Sequence, residues 1–200
     1  MNKIFGIKYG PCKTGKTLAA VRAFPDALFI APRGALLCAK WLAWEPKVIE
    51  ADEKLGIKKM VEIIQKAGSQ YPAIIIDDFS ILCDSELAAC KKKHAGWASF
   101  DVFNKRVYDL RDAARSAPCH VILTMHEQPP KEVKNGNKWL PGSPLIPGWQ
   151  LREKLPAMAD FVARVVYDED TPGWPYLYQV GPDKNYITGD RLAIMPDRFP

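Results

Sequence analysis

Apolar positions fall in two rhythms along this chain. Three short runs are almost wholly apolar: Ala27–Ile30, Ala73–Ile76 and residues 121–124. A strand covered on both faces reads as such a continuous run, which places these at the centre of a parallel sheet. Ile4–Lys8 predicts a further strand and Val48–Ile49 a short one. Between them lie longer stretches with helical spacing. They cover Leu18–Arg22, residues 35–44, residues 52–67, residues 100–116 and residues 149–158. In the third of these stretches Leu55, Met60, Ile63 and Ile64 share one face. Strand and helix alternating in this way predict the α/β class, with a mostly parallel central sheet flanked by helices.

Two regions break the pattern. Residues 128–148 are rich in Pro, Gly, Lys and Asn and carry neither period. They read as a long unstructured loop, a feature that is usually functional. Further on, Phe161–Tyr167 and Tyr176–Val180 predict two strands joined by a turn-rich connector at 168–173. We expect an antiparallel C-terminal hairpin on the edge of the same sheet. No internal repeat is present, and 200 residues suit one domain spanning 1–200.

Composition narrows the class. With 48% hydrophobic and 26% charged residues the chain is an ordinary globular one. A net charge of +5 and a pI near 8.9 permit a polyanionic partner without requiring one. No apolar run reaches the ~18 residues of a membrane span. The first residues lack the form of an export segment. Five scattered cysteines without a CxxC pair read as reduced thiols rather than zinc ligands. The expectation is a cytoplasmic protein with no membrane partner.

Gly10-Pro11-Cys12-Lys13-Thr14-Gly15-Lys16-Thr17 matches the phosphate-binding pattern G-x-x-x-x-G-K-[ST] at every fixed position. Glycines permit backbone turns that a side chain would block. Successive N–H groups then point at phosphate oxygens. Thr17 and Leu18 open the next helix, whose positive N-terminal end faces the same anion. Lys16 is expected to reach the outer phosphates and Thr17 to place its hydroxyl on Mg²⁺. Ile74-Ile75-Ile76-Asp77-Asp78 has the form of an acidic strand end of the Walker B kind. There Asp77 is the candidate metal contact and Asp78 the candidate for orienting or deprotonating water. Thr124-Met125-His126-Glu127 closes the following strand, so His126 and Glu127 are candidates to meet the terminal phosphate. No NKxD-type guanine signature is present, which makes ATP the expected nucleotide.

The order of these segments carries a resemblance. After the phosphate loop and IIIDD come Gly96-Trp97, HVILTMHE, the long loop, LREKLPAMADFVARVVYD and Gly189-Asp190-Arg191. The chain resembles the phage-encoded RecA-like P-loop ATPases of the nucleotide-binding, single-strand-annealing recombination kind. That resemblance implies a RecA-like core, ATP with Mg²⁺, and action on single-stranded DNA in phage recombination or replication in the host cytoplasm. It also implies self-association into a ring or filament, with a single-strand-binding protein as a further partner. ATP then sits between neighbouring subunits and a basic residue completes the site; Arg191 matches that role. Two departures stand out. Gly189 occupies a position where relatives often carry Lys. The second strand, Phe29-Ile30-Ala31-Pro32-Arg33, carries no carboxylate, whereas RecA-like enzymes often place a catalytic Glu after it. Asp78 or Glu127 must then substitute, or hydrolysis is slow.

Two basic segments with tryptophan are candidates for DNA contact. One is Lys91–Trp97. The other, favoured by analogy with RecA-like folds, comprises Lys131, Lys134, Lys138 and Trp139 in the long loop. Two alternatives belong to other classes. A nucleotide kinase needs an Arg-rich lid, and residues 128–148 contain no Arg. A nucleotide-gated motor or packaging module would bind ATP with little turnover.

Overall fold

The computed structural model describes residues 3–37, 45–51, 55–133, 138–167, 176–193 and 196–199, with backbone alone at 133, 138 and 199. The first strand, β1 (Phe5–Gly10), is buried throughout, and the phosphate loop leads from it into α1 (Lys16–Ala23). β2 (Leu28–Ala31) and β3 (Lys47–Glu50) follow. Next come α2 (Ile57–Ala67) and β4 (Ala73–Ile76). Two long helices, α3 (Phe79–Lys93) and α4 (Trp97–Ser116), precede β5 (His120–Gln128). The chain ends with α5 (Trp149–Met158), β9 (Phe161–Tyr167), β10 (Tyr176–Gln179), β11 (Gly189–Asp190) and β12 (Arg198–Phe199). Three short strands, β6 (Lys131–Val133), β7 (Lys138–Leu140) and β8 (Ser143–Pro144), lie between β5 and α5.

The sheet order is β12-β10-β9-β1-β5-β4-β2-β3. Every neighbouring pair from β9 through β3 is parallel, whereas β10 pairs with β9 and β12 with β10 in antiparallel fashion. The expected parallel centre and antiparallel C-terminal hairpin are therefore both present.

Alternation along the strands gives the sheet two unlike faces. Phe5, Ile7 and Tyr9 of β1 join Val121, Leu123 and Met125 of β5 in the larger core, which α2, α3 and α4 cover. Phe103, Val107, Leu110 and Ala114 of α4 recur at three- and four-residue intervals and supply one helical stripe to it. The other face is covered by α1 and holds a smaller core around Phe29, Ile75 and Ile122. This second face also buries Lys8 and Thr124.

Several expectations are corrected. α3 is a 15-residue helix where no element was expected. Its inward positions 79, 82, 83, 86, 87 and 90 keep helical spacing, but Glu86 and two cysteines interrupt the apolar signal. α2 begins at Ile57 rather than 52, because Glu86 accepts the Ile57 amide hydrogen bond at 2.9 Å and caps the helix there. Only a single tight turn covers 35–37 of the expected helix, and 38–44 lie outside the described residues. β1 runs to Gly10 and β5 to Gln128, longer than their apolar runs. Residues 128–148 are not structureless: β6 and β7 pair as a hairpin, and β8 pairs with the end of β5.

Candidate nucleotide site

The phosphate loop begins where β1 ends. Gly10 is packed against β9 so closely that an added methyl group would stand 2.8 Å from Val165 Cβ. Lys13 and Gly15 have φ of 62° and 77°, the left-handed turns that curl successive amides inward. Thr14 Oγ1 donates to the Pro11 carbonyl at 2.9 Å and braces the loop. α1 has no side-chain cap and no acidic residue in its first turn, so its leading N–H groups are available to an anion.

Lys16 is buried beneath this loop, with Nζ donating to the carbonyls of Gly10 at 3.0 Å and Pro11 at 2.7 Å. Burial lowers its pKa, and the negative charge of Asp78 opposes that shift. Thr17 Oγ1 donates to both Asp77 oxygens, at 2.9 and 3.1 Å. Thr124 Oγ1 donates to Asp77 as well. Asp77 is 3% exposed and makes no ion pair with any described residue. Desolvation raises its pKa, with the two threonine hydroxyls pulling the other way.

Asp78 follows through a cis peptide bond and turns the chain into α3, accepting the Ser80 amide at 3.0 Å as the helix cap. Its other oxygen pairs with His126 Nε2. Burial raises the Asp78 pKa, and His126 opposes the shift. His126 Nδ1 lies 3.3 Å from Cys12 Sγ, which ties the loop to β5. A cavity of ≈ 880 Å³ joins these groups, within the size range of small-molecule sites. Residues 12–18, Asp77, Asp78 and His126 line it, and so do Arg33 and Tyr176, which the sequence reading did not nominate. Pairing of β2 with β4 brings the Arg33 segment there, a relation visible only once the strand order is known.

Two other expected residues lie elsewhere. Glu127 alternates with His126 and points to the opposite face, where Arg164 Nε donates to it at 2.7 Å. The Arg164 guanidinium in turn stacks 3.4 Å above the Tyr186 ring. Glu127 is therefore engaged away from the phosphate face. Arg191 follows β11, and its amide donates to the Asp160 carbonyl just before β9. That is the end of the sheet opposite the loop, so Arg191 does not complete this chain's own site. Leu18 does line the cavity, as expected.

Among the candidate DNA contacts, Lys131 and Trp139 are exposed on the β6–β7 hairpin. Lys134 lies outside the described residues, as does the side chain of Lys138. Residues 91–97 are exposed too, with Trp97 at 83%. Among the described residues no group of three His, Cys, Asp or Glu side chains forms a metal cluster, and no helix is long and apolar enough to cross a membrane.

Comparison with known proteins agrees with this geometry. The AAA domain family matches residues 2–192. No curated protein sequence matches the chain. Among solved structures, the RadB recombinase superposes with a TM-score of 0.51 over 88% of this chain and 78% of its own, at 14% identity. At that identity the likeness concerns the fold, which is RecA-like.

Proposed function

Since the chain belongs to the AAA domain family of P-loop proteins, we propose that it binds and hydrolyses ATP and acts on single-stranded DNA in recombination or replication, as phage-encoded proteins of this type do. One observation carries the nucleotide reading. The curled loop, the buried Lys16 and the Thr17–Asp77 pair converge on a single cavity. Backbone amides and the Lys16 ammonium would hold the phosphates and stabilise the charge that grows on them during transfer to water. Thr17 and Asp77 fit a magnesium ion: a hydroxyl and a buried carboxylate that makes no ion pair among the described residues suit a metal that keeps several waters. Bound there, the ion would neutralise phosphate charge.

The hairpin carrying Lys131 and Trp139 supports the DNA reading, since lysine neutralises phosphate and exposed tryptophan stacks on unpaired bases. The RadB recombinase shares the fold, and a subunit ring or filament would bring Arg191 of one copy toward the site of the next. One feature favours a second reading, tight binding with little turnover. Asp77 and Asp78 are both hydrogen-bonded within the cavity, and Glu127 is held on the other face. Hydrolysis measured with and without single-stranded DNA, alongside the mass of the complex, separates the two. DNA-stimulated turnover supports the first; binding with negligible turnover selects the second; absence of ATP binding overturns both.

A further inference from the structure

The turn that follows β2 carries an arginine, and the structure shows what that arginine faces. β2 is fixed on both sides at its end: the Asp77 amide donates to the Ile30 carbonyl and the Ala51 amide to the Ala31 carbonyl, each at 2.8 Å. Pro32 follows at once, and a tight turn closes between the Pro32 carbonyl and the Ala35 amide at 3.0 Å. Gly34 makes this turn possible with φ of 82°. Arg33 is thus presented from a short, pinned turn, and it lines the same cavity as the phosphate loop.

Its charge is unspent. Arg33 is exposed and makes no hydrogen bond or ion pair with any described residue. The buried cation of the cavity, Lys16, is folded against loop carbonyls, and both aspartates have partners. Among the described residues the cavity therefore offers one planar guanidinium without a partner.

We propose that Arg33 grips the terminal phosphate of a bound nucleoside triphosphate, so that the site distinguishes triphosphate from diphosphate through this residue. The inference rests on the nucleotide reading of the cavity and adds a specificity-determining contact to it. Loop amides and the start of α1 surround the inner phosphates. Thr17 and Asp77 mark the metal side. Asp78, Ile81 and Arg33, which follow β4 and β2, line the same cavity. In the proposed pose the third phosphate reaches toward Arg33. There a guanidinium fork matches two phosphate oxygens at once, which an ammonium cannot do.

The test is calorimetric titration of the wild-type chain, Arg33→Ala and Arg33→Lys with ADP and with a non-hydrolysable ATP analogue, in the presence of Mg²⁺. Thermal melts of all three confirm that the fold is intact. Arg33→Ala should lose about tenfold or more in affinity for the triphosphate while its affinity for ADP stays unchanged. Arg33→Lys should recover only part of the loss. Equal losses for both nucleotides, or none, overturn the proposal while leaving the nucleotide site standing. If the wild-type chain binds neither nucleotide, the nucleotide reading itself falls, and this inference with it.

Discussion

The two faces of the central sheet do different work. The face under α2, α3 and α4 buries a large, nearly continuous apolar core. The face under α1 buries fewer apolar side chains and shuts Lys8, Thr124 and Asp77 in among them. His126 and Glu127, consecutive in β5, illustrate the division: one joins Asp78 and Cys12 by the loop, the other pairs with Arg164 on the far side. Stability resides mainly on one face and chemistry on the other. An eight-residue helix covers less sheet than three longer ones, and the uncovered end becomes the cavity.

Four substitutions probe this division. The largest effect is expected on the apolar face. Phe103→Ala, at a fully buried position, should lower unfolding free energy by about 3–5 kcal/mol in urea titrations. Nucleotide affinity of the folded fraction should be unchanged; a matching loss of affinity would mean that the faces are coupled. Lys16→Ala tests the opposite quadrant. It removes one partner of a buried charged contact, so binding should weaken by roughly 2–5 kcal/mol, while the melting temperature stays near that of the parent. Unchanged ATP binding would refute the assigned loop.

Lys8 marks the cost of polarity on the α1 face. It lies under the Tyr178 ring, 4.5 Å from its centroid, and burial pulls its pKa from 10.5 down to about 8. Between those two values the unfolded chain holds a proton that the folded chain has released. Unfolding then takes up protons, so stability rises with pH across that window. Lys8→Met should therefore be the more stable chain near pH 7. Its advantage should shrink by at most about 3 kcal/mol as pH climbs from 8 to 10.5. A constant difference would show that the ammonium is not desolvated. The smallest change is expected from Glu127→Gln, with hydrolysis left as in the parent. A fall of about 100-fold would instead restore Glu127 as the general base.

Much of this arrangement was legible in the sequence. Isolated apolar runs such as Ala73–Ile76 name central strands because both faces are covered, and the glycine-lysine spacing names the loop because its chemistry is local. What escaped depended on distant partners. α3 was hidden because its inward face includes Glu86, a residue that caps α2 and pairs with Arg106. The 128–148 region concealed a hairpin because strands of three residues are too short to show a period. Glu127 was misplaced because the apolar run of β5 ends several residues before its hydrogen-bonded ladder does. Arg33 was noted only for the carboxylate it lacks, since strand order decides that it meets the loop.

The contact between Gly10 and Val165 has a consequence for how the molecule comes into being. The residues that spell the phosphate loop leave the ribosome before the strand that wedges against their base, which is made some 150 positions later. A shortened chain ending before β9 would carry every letter of the loop while lacking the wall that shapes it. Such a fragment should read as a nucleotide binder to any pattern search and fail as one in the test tube.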